Sequence, residues 1–170
     1  MKSFNFPIAG DTSWFEVIPP KHKQFIESSA GSAASQNPLP SPTFGLYTGK
    51  REAWEQYERA SHGPLIPLAL DYCVGLRNGR ALVKAVERVL DEPTWVRPWH
   101  CQRADNWSAK DGEREVDLET AHVAMNLAFI FASCGDLFTD EQRHRISDRV
   151  YWHLLEPFAR HTAAGVGERP

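Results

Sequence analysis

The chain has 170 residues, enough for one domain with a substantial core. Its hydrophobic fraction of 42%, charged fraction of 24% and formal net charge of -3 exclude compositional disorder and a basic nucleic-acid-binding surface. We expect no nucleic-acid or membrane partner, because the charge is slightly acidic and no apolar run reaches about 20 residues. The N-terminus lacks a signal-peptide core. The sequence therefore predicts a cytoplasmic protein, or a periplasmic or secreted one if a signal was removed.

Residues 1–49 are predicted to form an irregular, Pro-rich N-terminal arm. They hold six of the twelve prolines and a run of small residues from Ser28 to Ser35, which makes long regular elements improbable. At most, Lys21–Ser29 forms a short helix. Aromatic residues such as Trp14 and Phe15 are costly to leave in water, so we expect the arm to pack over the rest of the chain.

Residues 50–170 are predicted to form a helical domain. A first short helix covers Glu52–His62 and is ended by Gly63, and a second, apolar nearly all round, covers Pro64–Gly75. Asn78 is a candidate N-cap for a third helix, which is amphipathic and faces outward.

Two more helices follow a long connection. Asp117–Cys134 leaves almost no polar face, which predicts a central helix. Thr139 and Gln142 have the spacing of a capping box at the start of a fifth helix that ends near His161. Its predicted buried stripe consists of Ile146, Val150, Leu154 and Phe158. Apolar and striped helices thus alternate, which indicates an all-α fold of stacked helical hairpins.

The connection from Glu92 to Val116 is the best candidate for a binding surface. It is longer than most loops of compact domains and carries three of the six tryptophans. Aromatic faces flanked by Arg, Asn and His suit stacking on sugar rings and bonding to their hydroxyls and carboxylates. The candidate substrate-binding residues are Trp95, Trp99, His100, Arg103, Asn106 and Trp107. The alternative is that these tryptophans only seal the ends of the hairpins.

Two other chemistries for this connection have weaker support. Ser108, Cys101 and His100 could suggest a nucleophilic hydrolase, but no GxSxG elbow accompanies them. His100, Asp105 and Asp111 are metal-ligand types whose spacing matches no zinc or calcium loop. The sequence therefore predicts no metal and no cofactor.

The remaining histidines and cysteines favour structural roles. His122, in the apolar helix, is predicted to be a satisfied core histidine. Three others are predicted on a solvent face: His144, His153 and His161. The three cysteines lack zinc-site spacing and are interpreted mainly as buried thiols: Cys73, Cys101 and Cys134.

The order of these features resembles a known family. The run from Gly63 to Phe158 includes LALDYCVGLRNGRALVKAVERVLDEPTW, then PWH, then VDLETAHVAMNLAFIFASCGDLFTDEQRHRI. It resembles the N-terminal helical domain of heparinase II/III-like and alginate-lyase-like polysaccharide lyases. That resemblance implies a partial (α/α) toroid that binds acidic, uronate-containing oligosaccharides and, if active, cleaves them by β-elimination.

The resemblance assigns no catalytic residue. The family's Asn-His pair and catalytic Tyr come from helices beyond the matching span, and this sequence has no Asn-His dipeptide. A non-enzymatic helical-stack protein-interaction module is the alternative function. Because the last helices of a partial toroid lack a neighbour, apolar surface should stay uncovered on them. Either the N-terminal arm of residues 1–49 folds back over that surface or two chains pair through it, and we favour the homodimer.

Overall fold

The computed structural model describes residues 7–35, 51–75, 77–97 and 116–163, apart from the side chains of 51–54 and 161. This part of the chain is helical and contains no strand, only an isolated bridge between Ile8 and Asp11. The all-α prediction is confirmed. The α-helices are α1 (Ser13–Val17), α2 (Pro20–Ser35), α3 (Arg51–Ser61), α4 (Leu65–Gly75), α5 (Gly79–Leu90), α6 (Leu118–Cys134), α7 (Asp140–Val150) and α8 (Glu156–Ala163).

The core lies where α4 meets its neighbours. Helix α4 packs against α2, α5 and α6, and α6 packs in turn against α7. Each large apolar side chain removed from water there contributes about 1.5–3 kcal/mol. The fully buried leucines and isoleucines of the described residues are Leu65, Leu68, Leu82, Leu90, Leu127, Ile130 and Ile146. Among the described helices, none is long and apolar enough to cross a membrane.

The N-terminal arm contains more helix than its sequence predicts. Helix α2 runs from Pro20 to Ser35 instead of Lys21–Ser29. Its small residues allow close packing on α4, and this contact offsets the low helix propensity of its serines and glycine. Trp14 and Ile26 belong to the same buried cluster as the core of α4–α6, so the arm packs on the helical body as expected.

The turn between α3 and α4 is fixed by Gly63. Its N–H donates to the Glu58 carbonyl at 3.1 Å. A Cβ at this position would lie 2.5 Å from the carbonyl oxygen of Arg59, closer than real side chains come to backbone. The predicted glycine stop is confirmed, and it leaves His62 at the end of α3 facing the body of the protein.

Helix α5 begins where predicted but is capped differently. Asn78 occupies the N-cap position in the left-handed region (φ 56°) and makes no side-chain cap. Its amide instead donates to Oδ2 of the buried Asp71 at 2.9 Å, while Arg77 donates to Oδ1. The hydrophobic spacing of α5 predicted its buried face correctly, with Leu82, Val86 and Val89 inside.

Helix α6 is buried on one face only, whereas the sequence predicted a central helix buried all round. Asp117 caps it by accepting from the Thr120 N–H at 2.8 Å. Val123, Leu127 and Ile130 are buried, but Leu118, Met125 and Phe131 on other faces of the helix are 63%, 62% and 40% exposed. The sequence of α6 is apolar all round because its open face is apolar too.

The last helix is interrupted by a π-helical turn at Tyr151–Leu155 between α7 and α8. The Thr139–Gln142 capping box that starts α7 is confirmed, and Ile146 is buried. A π turn takes up one extra residue, which rotates the following side chains by about 100°. Val150 and Leu154 of the predicted stripe are partly buried against the core. Two other predictions were wrong: Phe158 is exposed and His153 is buried.

Candidate functional site

A buried polar cluster joins α3, α6 and the segment after α5. The end of α3 supplies its hydroxyls, one carboxylate and an imidazole, and the other carboxylates come from residues far away in the sequence. Its members are Tyr57, Glu58, Ser61, His62, Glu92, Arg97 and Glu119. Buried polar groups are costly unless paired, so such a cluster fixes the position of every element that contributes to it.

His62 is at the centre of this polar cluster. Its Nδ1 lies 2.7 Å from Glu119 Oε1 and its Nε2 lies 2.9 Å from Glu92 Oε2. Carboxylate oxygens only accept, so both ring nitrogens carry protons and the ring is an imidazolium. Burial alone would lower the pKa of His62. The charge of Glu92 and the hydrogen bonds to Glu119 and Glu92 outweigh burial and raise that pKa to about 9.

Glu92 binds three groups of α3. Its Oε1 accepts from the Tyr57 hydroxyl at 2.7 Å and from the Ser61 hydroxyl at 2.6 Å, and Oε2 accepts from His62. Burial and the Glu92 charge raise the pKa of the Tyr57 phenol far above its ordinary value. Tyr57 and His62 are therefore committed to holding Glu92 and both keep their protons.

Arg97 closes the cluster on the outer side. Its Nε and Nη2 donate to the two oxygens of Glu58 at 2.5 and 3.0 Å, and Nη2 also donates to Glu119 Oε2 at 2.9 Å. The backbone N–H of Arg97 donates to Asp117 Oδ2 at 3.0 Å. Residues 98–115 therefore leave and rejoin the described structure at two neighbouring points on the edge of the cluster.

A surface groove of about 380 Å³ opens beside the cluster. Glu58, His62 and Glu119 form its inner wall, and its rim comprises Arg59, Gly63, Ile66, His122, Met125 and Asn126.

The prediction that His122 is a core histidine was wrong. Its ring is 52% exposed, with Nδ1 3.9 Å from Glu119 Oε2. No group of His, Cys, Asp and Glu among the described residues could hold a metal ion.

Of the six predicted site residues, the structure describes Trp95. Its ring is fully buried, its indole N–H donates to the Val89 carbonyl at 3.1 Å, and it packs on the ring of His153 at 4.6 Å between centroids. The other five lie outside the described residues: Trp99, His100, Arg103, Asn106 and Trp107. The prediction for them stands as made.

His153 corrects the prediction of a solvent-facing histidine. The ring is buried and stacked on Trp95, and its Nε2 lies 3.3 Å from Arg149 Nη1, so it accepts a hydrogen bond. Burial, followed by the positive charge of Arg149, lowers the pKa of His153 to about 4. This ring is neutral at neutral pH.

Sequence reasoning missed the cluster itself. His62 and Glu92 are 30 residues apart and His62 and Glu119 are 57 apart, so no local motif connects them. Glu119 lies in the first turn of its helix, where acidic residues are common because they interact favourably with the helix N-terminus, so its position alone does not reveal a buried partner.

Comparisons with models of protein families, with curated proteins and with solved structures found no match to this chain. The assignment of a function is therefore based on the chemistry of the groove and its surroundings.

Proposed function

We propose that the chain is a partial (α/α)-toroid domain of the polysaccharide-lyase type, which binds acidic oligosaccharides in the groove at the edge of the polar cluster. The observation that carries this proposal is the rim of the groove. It combines the exposed guanidinium of Arg59, the exposed ring of His122 and the amide of Asn126 with the apolar side chains of Ile66 and Met125. Uronate sugars present a carboxylate, hydroxyls and an apolar ring face, which these groups complement.

The charges of the inner wall support an anionic ligand. Glu58 and Glu119 are both bound by Arg97, and Glu119 is also bound by the His62 imidazolium. Their negative charge is therefore partly compensated within the protein, since Arg97 is shared by both carboxylates and His62 also binds Glu92. The side chain of Arg59 makes one hydrogen bond within α3, in which its Nε donates to the Glu55 carbonyl. No carboxylate of the described residues forms an ion pair with Arg59. Arg59 is available for a carboxylate from outside.

The buried groups favour binding over elimination. Abstraction of a sugar proton needs an accessible neutral base, and the leaving oxygen needs an accessible acid. His62 is protonated and enclosed between two carboxylates, and the Tyr57 hydroxyl is donated to Glu92. Neither reaches the groove as a free acid or base. Among the described groove residues, the exposed imidazole that a sugar could reach belongs to His122.

Binding is tested by calorimetric titration with alginate oligosaccharides, with uncharged dextran oligosaccharides as ligand control. Arg59→Ala should weaken the alginate affinity by roughly tenfold or more, because a charge-assisted hydrogen bond contributes about 1.5–3 kcal/mol. Arg80→Ala is the matched control, since Arg80 is also exposed but does not line the groove. Equal affinity for the two ligands, or equal losses in the two variants, would count against the proposal.

Elimination is tested separately by ultraviolet absorbance. Cleavage of a uronate chain leaves a conjugated double bond, so incubation with alginate, heparan or chondroitin raises the absorbance if the chain is an active lyase. We expect no rise for the chain alone. A rise that His122→Ala abolishes would instead identify an active lyase with its base in the groove.

A second candidate function is protein interaction, with self-association as its simplest form. Large apolar side chains are exposed on α6, at Leu118 and Met125, and around the π turn and α8, at Trp152, Leu155 and Phe158. Exposed apolar surface of this kind is typical of interfaces. A second copy of the chain packed on these helices would form the expected homodimer and bury on the order of 1,200–2,000 Å² in total.

Light scattering over a range of protein concentrations tests this second function. A mass that rises from one chain to two, and that Trp152→Ser with Phe158→Ser returns to one chain, would support it. Val17→Ser is the control, because Val17 is 82% exposed on α1, away from these helices. A single-chain mass at every concentration would rule out the homodimer.

A further inference from the structure

Two thiols from distant parts of the chain meet in the core. Cys73 in the last turn of α4 and Cys134 at the end of α6 are free and buried, with 0% and 1% of their surface exposed. Their Sγ atoms are 3.6 Å apart. A disulfide bond measures about 2.0 Å, so the two sulfur atoms would have to approach each other by about 1.6 Å to form one.

The N-terminal arm crosses the ends of the two helices that carry these thiols and forms a cover there. The Ala9 N–H donates to the carbonyl of Ser133, next to Cys134, at 2.9 Å, and the Gly10 N–H donates to the carbonyl of Cys73 at 3.1 Å. These two consecutive residues therefore bridge the helices that carry the two cysteines. Gly10 holds φ +84°, a conformation that side chains with a Cβ rarely adopt.

This cover is weakly attached. Ile8 is 53% exposed, so the crossing segment buries little apolar surface. The buried Ser133 hydroxyl, in the residue whose carbonyl accepts from Ala9, has no hydrogen-bond partner in the described residues. Lifting the segment would let water satisfy this group, which lowers the free energy needed for local opening.

We propose that Cys73 and Cys134 are a reversible redox pair, which forms an internal disulfide with a hydroperoxide as oxidant when the segment of residues 7–11 lifts. The Cys73 thiolate attacks the peroxide oxygen, which gives a sulfenic acid and releases an alcohol, or water from hydrogen peroxide. The Cys134 sulfur then attacks the Cys73 sulfur and expels water. The two thiols together lose two protons and two electrons, and the peroxide takes them up to become the alcohol, or water, and the second water.

The contact between the two thiols shifts their pKa values in opposite directions. The hydrogen bond from the Cys134 thiol lowers the pKa of Cys73, against the effect of burial, so Cys73 is the better nucleophile. The same contact, together with burial, raises the pKa of Cys134. Cys134 therefore remains a thiol until the sulfenic acid forms beside it.

The full-length Cys101→Ser chain, which keeps only these two cysteines, tests the pair. After exposure to hydrogen peroxide we expect two thiols to disappear from titration in denaturant, a mass lower by two hydrogens, and recovery of both thiols with dithiothreitol. Peptide mapping should join the Cys73 and Cys134 peptides. Two titratable thiols after treatment, addition of oxygen without a cross-link, or a disulfide between chains would each overturn the proposal.

Gly10→Ala in the same background tests the cover. Forcing a Cβ into this conformation should raise the rate of disulfide formation by roughly five- to thirtyfold through easier lifting of the segment. Gly31→Ala is the matched control, since Gly31 lies in α2, has open space around its Cα and a helical backbone, and should leave the rate unchanged. Equal rates for the two variants would overturn the gating by residues 7–11.

Discussion

Two histidines of this protein are almost equally buried and behave in opposite ways. His62 and His153 expose 6% and 5% of their surface, yet the pKa of His62 is raised to about 9 and that of His153 is lowered to about 4. Burial disfavours the charged form of both rings. His62 lies between two carboxylates, whereas His153 lies on Trp95 and beside Arg149. The neighbours, not the depth, decide whether a buried imidazole is charged.

The two environments meet at Glu92. This carboxylate binds His62 directly, and its charge also acts at longer range on His153, where it opposes the lowering of the pKa. The charged histidine holds the base of the groove together, and the neutral one supports Trp95, the first of the predicted binding residues. Substitutions and pH can therefore separate the two roles.

Removal of the charged ring should have the largest effect. His62→Ala leaves Glu92 and Glu119 buried beside a cavity without their shared cation, which should lower the free energy of unfolding by about 3–5 kcal/mol. Urea denaturation at neutral pH measures it. A loss below about 1 kcal/mol would mean that the cluster contributes little to stability.

Alkaline pH should remove the same contribution without a substitution. His62 has a folded pKa of about 9 against an ordinary value of 6.5, so its stabilisation is complete below pH 6.5 and is lost as the pH rises towards 9. The shift corresponds to about 3 kcal/mol in the free energy of unfolding. The urea concentration at the midpoint of unfolding, measured at intervals of pH across this range, should decrease as the pH rises. In His62→Gln this decrease should be much smaller. A wild-type profile without a fall would contradict a charged His62.

Acidic pH should act through the other ring. His153 has a folded pKa of about 4, below its ordinary value of 6.5, so its contribution is present above pH 6.5 and is lost as the pH falls towards 4. Its free-energy effect should reach about 2–3 kcal/mol. Denaturation curves between these values measure the loss. Glu119 does not interfere with this measurement. Burial raises the pKa of Glu119, but His62 and Arg97 outweigh burial and lower that pKa below its ordinary value of 4.5. Protonation of Glu119 therefore changes the stability only below about pH 4.5.

Glu92→Gln tests the carboxylate that acts on both His62 and His153. The amide keeps the shape and one oxygen acceptor but loses the negative charge opposite His62, which should cost about 2 kcal/mol at pH 7. The pKa of His62, followed by NMR, should fall. Glu87→Gln is a control, because Glu87 is a carboxylate of α5 paired with Arg145 at the surface. An unchanged His62 pKa would show that Glu92 is not its main partner.

The smallest effect is expected for His153→Phe. Phenylalanine has a similar volume, can stack on Trp95 and lacks only the hydrogen bond with Arg149, so the loss in unfolding free energy should be about 1 kcal/mol. The variant should also lack the decrease in stability between pH 6.5 and 4. If that decrease persisted in this variant, another group would be responsible for it.

Most of the helices could be predicted from local sequence. The boundaries of α3, α4, α5 and α6 agree with the predicted ones within one or two residues, because glycine, proline and capping residues mark them. The full length of α2 could not be predicted, since its Ser and Gly residues are helical through contact with α4. The π turn at Tyr151–Leu155 likewise leaves no sequence periodicity that differs from an α-helix.

The cluster beside the groove could not be predicted. His62, Glu92 and Glu119 come from three elements, and only the packing of α3 against α5 and α6 brings them together. Sequence spacing finds partners within a turn or a loop, such as Thr139 and Gln142, but not partners across a fold. For the same reason the groove residues Arg59 and Asn126 were overlooked and His122 was assigned to the core.

The contact between Arg97 and Asp117 has a consequence for how this protein could be altered. It joins the described residues on either side of 98–115 within the helical framework. If a flexible segment were inserted between these two anchors, each doubling of its length would raise the entropic cost of closure by only about 0.6 kcal/mol. Such an insertion would therefore cost little stability. The helices can serve as a frame into which loops of other lengths and specificities are grafted.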